Sequence, residues 1–172
     1  VGLAQTYNYV GLPIAIPDSN ISISIPLNVT GVTPTFMNAS HGLKEVIVNI
    51  NHPWDSDLKI SLQSPAGTVI ILSLHNGGAG ANYTNTHFRM DGIDGPIVNG
   101  FAPLTGSFIP DQSINLFNSS FQSANGIWNL MVIDEFPTEA GTLISFSLIF
   151  GINPPPDPAG MTCSTTFAGG CV

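Results

Sequence analysis

Val46-Ile-Val-Asn-Ile-Asn-His-Pro-Trp-Asp-Ser-Asp-Leu-Lys-Ile-Ser-Leu-Gln-Ser-Pro-Ala-Gly-Thr68 repeats with a period of two on both sides of a short break. Val46, Val48 and Ile50 alternate with Ile47, Asn49 and Asn51; beyond the break Leu58, Ile60 and Leu62 alternate with Lys59, Ser61 and Gln63. Successive side chains of a strand point to opposite faces, so this is the pattern of two half-buried strands. Ser64-Pro-Ala-Gly67 then supplies a turn, because Pro presets the first φ and Gly admits the permissive one. It leads into the apolar run Val69-Ile-Ile-Leu-Ser-Leu74, which predicts a hairpin.

The same period appears outward in both directions. Ile21, Ile23, Ile25, Leu27 and Val29 alternate with Ser22, Ser24, Pro26, Asn28 and Thr30. Pro26 has no N–H for a central ladder, which places this strand at an edge or a bulge. Gly126-Ile-Trp-Asn-Leu-Met-Val-Ile-Asp134 is a strand bounded by turn residues, with Trp128 facing the core alongside Leu130 and Val132. Ile144, Phe146, Leu148 and Phe150 alternate with Ser145, Ser147 and Ile149. Residues 76–120 are rich in Gly, Asn, Asp and Pro and read as mostly long loop, with Tyr83, Phe88, Phe101, Phe108 and Phe117 as anchors. No helical period of any length occurs, and Gly or Pro intrudes throughout. The reading is an all-β, antiparallel β-sandwich with long loops.

Composition narrows the function. The 172 residues carry 8% charged side chains, three basic against eleven acidic, for a net charge of −8. That leaves no basic patch for phosphates and excludes nucleic acid as a partner. Every apolar run is interrupted before the roughly 18–20 residues of a membrane helix, so no membrane insertion is expected. The surface is built from Ser, Thr, Asn, Gly and Pro, which is unusual for a cytosolic enzyme. Asn20, Asn28, Asn38, Asn82 and Asn118 each open an Asn-x-Ser/Thr triplet, about twice what chance gives, and are candidate glycosylation sites. Cys163 and Cys171, eight apart in a Gly-rich stretch, suit a disulfide in an oxidising compartment. These features together point to an extracellular or cell-surface location. Val1-Gly-Leu-Ala-Gln5 is compatible with the end of a signal peptide and equally with a linker.

The 46–68 stretch, together with Gly126-Ile-Trp-Asn-Leu-Met-Val-Ile-Asp134 and Gly141-Thr-Leu-Ile-Ser-Phe-Ser-Leu-Ile-Phe-Gly151, resembles the P domain, or P/Homo B domain. The closing segments are similar to the family's "G-x-W-x-L-x-V-x-D … G-x-L-x-x-W-x-L-x-x-x-G", with Phe146 where Trp is frequent. Ile16-Pro-Asp18 and Phe101-Ala-Pro-Leu-Thr-Gly106 are similar to segments of the bacterial branch. The resemblance spans residues 12–151. It implies a jelly-roll sandwich that accompanies secreted kexin/furin-like subtilases, metalloproteases and bacterial surface proteins as an accessory domain. Residues 1–11 then read as an N-terminal extension or linker. Residues 152–172 read as a tail whose Asn153-Pro-Pro-Pro-Asp-Pro158 is stiff and extended.

Asp55 and Asp57 stand at i and i+2 where a strand begins, so both carboxylates are expected on one face, able to converge on a hard cation. Asp91, Asp94 and Asp134 are further candidates, and Asp18 ranks below them. The resemblance implies calcium at Asp55, Asp57 and Asp91, with the family's frequent Phe-Asp-Asp replaced by Phe88-Arg-Met-Asp91. The alternative is structural: Asp57 accepts backbone N–H groups to fix the turn while the others cap loops or face water. His41, His52, His75 and His87 form no metal-spaced pair and read as loop residues. No Gly-x-Ser-x-Gly elbow and no subtilase-like nucleophile segment occurs, so the chain is not read as an enzyme. Trp54, between Pro53 and Asp55, is expected to be partly exposed. Two functional readings follow. One is an accessory module acting on a neighbouring domain of the same polypeptide. The other is a subunit of an extracellular filament or adhesin, its identical copies joined by exchange of terminal strands such as Thr6-Tyr-Asn-Tyr-Val10.

Overall fold

A computed structural model describes residues 4–161, and Cys163 and Cys171 lie outside them. The alternating segments become ten strands: β1 (Gln5–Asn8), β2 (Ile14–Ile16), β3 (Ile23–Val29), β4 (His41–Asn51), β5 (Leu58–Gln63), β6 (Val69–Leu74), β7 (Tyr83–Phe88), β8 (Leu104–Phe108), β9 (Gly126–Asp134) and β10 (Gly141–Ile152). One sheet has the order β1-β10-β4-β7-β8, with β2 also on β10; the other has the order β3-β9-β5-β6. The strands pair antiparallel except β7 and β8, which run parallel. This is the all-β sandwich that the alternation predicts, and β3 with its Pro26 lies at an edge.

The inner faces supply the core. Val46, Val48, Ile50, Phe146, Leu148 and Phe150 of one sheet meet Leu58, Ile60, Leu62, Trp128, Leu130 and Val132 of the other, and all are buried. Trp128 sits edge-on to Phe117 at 5.0 Å and to Phe150 at 5.6 Å, and its Nε1–H donates to the Ala124 carbonyl at 2.8 Å. The indole thus buries its apolar body without stranding its one polar atom. Truncating such a side chain to alanine costs about 3–5 kcal/mol.

Four expectations need correction. Residues 5–8 are not a linker: β1 pairs with β10, with Tyr7 against Phe150 and Tyr9 stacked on Phe146, so Thr6–Val10 is taken up largely by the chain's own flank. Residues 76–120 are not only loop, because β7 and β8 complete the larger sheet and Asn115–Ser119 forms a short helix, α1. Polar Thr84, Asn85 and Thr86 hide β7 from a search for apolar alternation. Ile144 does not share the inward face of Phe146: a register shift between Leu143 and Ser145 turns Leu143 inward and leaves Ile144 exposed. Ile21 precedes β3 and is exposed.

Three connections gather at one end of the sandwich: β4 to β5 (residues 52–57), β6 to β7 (residues 75–82), and β9 to β10 (residues 135–140). Backbone bonds tie them together, with Asp55 N–H donating to Gly80 O at 2.9 Å and Glu135 N–H to Asp57 O at 2.9 Å.

Candidate functional site

His52 continues the inward parity of Val46, Val48 and Ile50, and Asp134 continues that of Trp128, Leu130 and Val132. The two core-facing rows therefore end on a polar pair. His52 Nε2 lies 3.1 Å from Asp134 Oδ2, with both side chains fully buried. The other ring nitrogen, Nδ1, lies 2.8 Å from the Trp54 carbonyl and 3.2 Å from the Trp54 N–H, so the backbone of one residue offers it an acceptor or a donor in either tautomer. Gly141 makes room for the ring: a Cβ there would stand 2.5 Å from His52 Cδ2.

Asp55 is also fully buried. Its Oδ1 accepts the Asn82 N–H at 2.8 Å, while Oδ2 has no hydrogen-bond partner among the described residues. Burial pushes this carboxyl up to about 7, opposed by the Asn82 N–H. Gly77, at φ +94, brings its backbone against the Asp55 side chain, and an added Cβ would lie 2.8 Å from Asp55 Cβ. Behind Asp55 runs a buried polar chain. Tyr83 OH and Ser73 Oγ are 2.9 Å apart, Asn76 Nδ2 donates to Ser73 Oγ at 3.0 Å, and it reaches Asp111 Oδ2 at 2.8 Å. Burial raises both Asp111 and Tyr83.

The expected convergence of Asp55 and Asp57 does not occur. Residues 55–57 form a 3-10 turn, with Asp57 N–H donating to Trp54 O at 3.1 Å, and side chains two apart on such a turn diverge. Asp55 packs on the 77–82 loop, whereas Asp57 faces Asp134, His52, Glu139 and His75, and is raised by burial and then by Asp134. Asp91 and Asp94 stand at the far end of β7. Arg89 clamps Asp91 through Nε at 2.5 Å and Nη2 at 2.9 Å, which holds that carboxyl below its usual range. Asp94 Oδ2 accepts the Ser107 N–H at 2.7 Å. Asp18 accepts the Thr138 N–H at 2.8 Å. Among the described residues no group of three or more His, Cys, Asp or Glu is placed to share a metal ion.

The histidines are not simply loop residues. His41 is buried in β4, and His87 of β7 bonds Glu45. His52 and His75 do lie in connections, His52 buried and His75 at the surface beside Glu135 at 2.7 Å. Trp54 is partly exposed as expected. Of the sequons, Asn20 and Asn28 are exposed. Asn38 uses its Oδ1 on the Ser40 and His41 N–H groups, and Asn82 uses its own on the His52 N–H. Asn118 is a correction: it is buried, bridging the N–H and C=O of Leu43 at 2.9 Å each, so a glycan on Nδ2 is incompatible with this packing.

The family model of the proprotein convertase P-domain matches residues 44–150. Leupeptin-inactivating enzyme 1 of Streptomyces exfoliatus is 30% identical over 138 residues, which make up 80% of this chain and 24% of that enzyme. The chain therefore spans about a quarter of that relative's length. Among solved structures, the Aeromonas sobria serine protease in complex with a chaperone gives a TM-score of 0.52 at 23% identity, covering 90% of this chain and 27% of that one, a likeness of fold. No helix among the described residues is long and apolar enough to cross a membrane. The family match covers well over half of the chain, and the chain belongs to the proprotein convertase P-domain family.

Proposed function

We propose that the chain is a non-catalytic accessory domain of a longer, exported polypeptide, stabilising or positioning a hydrolase domain in the same chain. One observation carries this reading: 80% of the chain aligns with only 24% of a relative named as an enzyme, so the shared part is a module and the remainder of that relative lies elsewhere. The low charge, the absence of a basic patch and the run of Asn-x-Ser/Thr triplets agree with an extracellular setting. The pairing of Gln5–Asn8 with β10 of its own chain weighs against filament assembly by exchange of that strand.

Calcium enters this reading at Asp55. A buried carboxylate oxygen without a hydrogen-bond partner among the described residues is the kind of group that a hard cation completes. Bound there, calcium would supply charge neutralisation and tie the 55–57 turn to the 77–82 loop. Asp91 and Asp94 lie outside this neighbourhood.

The test is the intact denatured mass of the native polypeptide after glycan removal. A mass well above 18.1 kDa is expected, and a mass of 18.1 kDa overturns the reading. In the longer polypeptide, deletion of residues 4–152 should shorten the thermal half-life of the hydrolase activity. An unchanged half-life removes the stabilising role.

A further inference from the structure

At the end opposite His52, Phe36 and Phe121 stack with ring centroids 5.2 Å apart and planes 11° from parallel. Both are exposed, at 50% and 65%. Phe121 also has φ +51, a left-handed conformation that is unfavourable for a side chain with a Cβ. Water and local backbone preference both disfavour a bulky aromatic here, so neither solubility nor folding accounts for the pair.

The platform beneath the rings is firm. Phe36 pairs with Ser123, Met37 N–H donates to Gln122 O at 2.9 Å, and Ala124 N–H to Thr35 O at 2.8 Å. The Gln122 side chain is buried against Ser64, Ser120 and the Phe117 carbonyl. The N-terminal strand enters at this same end with β10 beside it, while the chain beyond Asn153 runs on against α1, where Asn115 Nδ2 donates to Pro155 O at 2.9 Å. Gln5 Nε2 donates to Gly31 O at 3.2 Å, Tyr7 OH to Thr30 O at 2.6 Å, and Asn153 N–H to Ser40 O at 2.9 Å. A Cβ on Gly151 would stand 3.5 Å from Ala4 Cα, so the entering and leaving strands lie side by side.

We propose that the Phe36–Phe121 pair is the docking surface for the companion domain of the same polypeptide, inserting into an apolar depression on that domain. The inference rests on the accessory-domain reading. It identifies which face is covered: a domain tethered through residues near Ala4, which Gln5 holds beside Gly31, meets this end first, at high effective concentration. An exposed, rigid aromatic pair is the kind of anchor that such contacts use.

The experiment uses the longer native polypeptide and a Phe36→Ser/Phe121→Gly variant, followed by calorimetry and by thermal inactivation of the hydrolase. Expected are a split of the coupled transition into two and at least a fivefold shorter inactivation half-life. In the 172-residue chain alone, Phe121→Gly should leave Tm unchanged or raised, because glycine accepts φ +51. An unchanged half-life in the long polypeptide overturns the docking surface and leaves the accessory reading standing. An equal Tm loss in the chain alone also overturns it, by making the pair structural. Concentration-dependent dimerisation of the chain alone, abolished by the variant, overturns it in favour of a second copy. A native mass of 18.1 kDa overturns both proposals.

Discussion

At the turn end, Asp55 and Asp134 are fully buried; across the crossover from β7 to β8, Asp91 and Asp94 lie exposed. Asp134 has a buried histidine as partner, Asp55 has one backbone N–H, and Asp91 has a guanidinium held in water. The same side chain is consequently displaced in opposite directions, upward at Asp55 by burial and downward at Asp91 by Arg89. The lesson is that spacing along the chain does not gather carboxylates into one site. Strand parity turns Asp134 into the core, the 3-10 turn and the loop packed on it bury Asp55, and the β7–β8 connection leaves Asp91 and Asp94 in solvent.

The comparison is tested hardest at His52. Replacing it with alanine leaves Asp134 Oδ2 buried without its partner, and breaking one side of a buried pair typically costs about 3–5 kcal/mol. Urea unfolding at pH 7 should show a loss of this size for His52→Ala. A loss of under about 1 kcal/mol would mean that the pair is solvated and that the two regions do not differ as described.

Asp55 comes next. Its folded pKa lies above the unfolded 3.8, so the native state binds the proton more tightly, and stability is greatest below about pH 4. That contribution is lost as pH rises towards about 7 and is flat beyond. At about 1.4 kcal/mol per pKa unit, the fall is of order 4 kcal/mol. Asp57 and Asp111 are raised as well and act in the same direction. Unfolding free energies at several pH values in chelator should decline over this window in the wild type and much less in Asp55→Asn. Equal slopes would place the sensitive group elsewhere. If calcium binds Asp55, millimolar calcium should raise Tm by roughly 5 °C at pH 8, less at pH 5, and not at all in Asp55→Asn. A melting curve identical in chelator and in calcium at pH 8 removes calcium from Asp55.

Much of the sandwich is legible because one face of most strands is apolar: β3, β4, β5, β9 and β10 announce themselves by parity, and β6 by its apolar run after a turn. β7 and β8 did not, since their pairing partner sets them and their outward residues are Thr, Asn and Ser. The bulge after Leu143 was also hidden, because a register shift leaves no compositional trace. For the site, the signal lies in the same alternation. Carrying the alternation one step past Ile50 and past Val132 puts His52 and Asp134 inward. The turn between β4 and β5 was read as the start of a strand, and the 3-10 geometry that separates Asp55 from Asp57 reversed that expectation.

The smallest effect is expected at the exposed region. Arg89 and Asp91 are about a third and a half exposed, so their bidentate contact forms in water and is offset by the cost of ordering two side chains. Arg89→Ala should therefore change stability by less than about 1 kcal/mol, and the change should shrink in 1 M salt. The pH sign is opposite to that of Asp55. A lowered carboxyl contributes stability above its unfolded pKa and loses it as pH falls through the folded value, so the Arg89 effect should vanish in acid, where the Asp55 contribution is largest. A loss as large as that of His52→Ala would show that Arg89 anchors the crossover through Glu45, 3.8 Å from Nη1, as well as through Asp91. The single variants Glu45→Gln and Asp91→Asn separate the two contacts, because each keeps the shape and removes one charge.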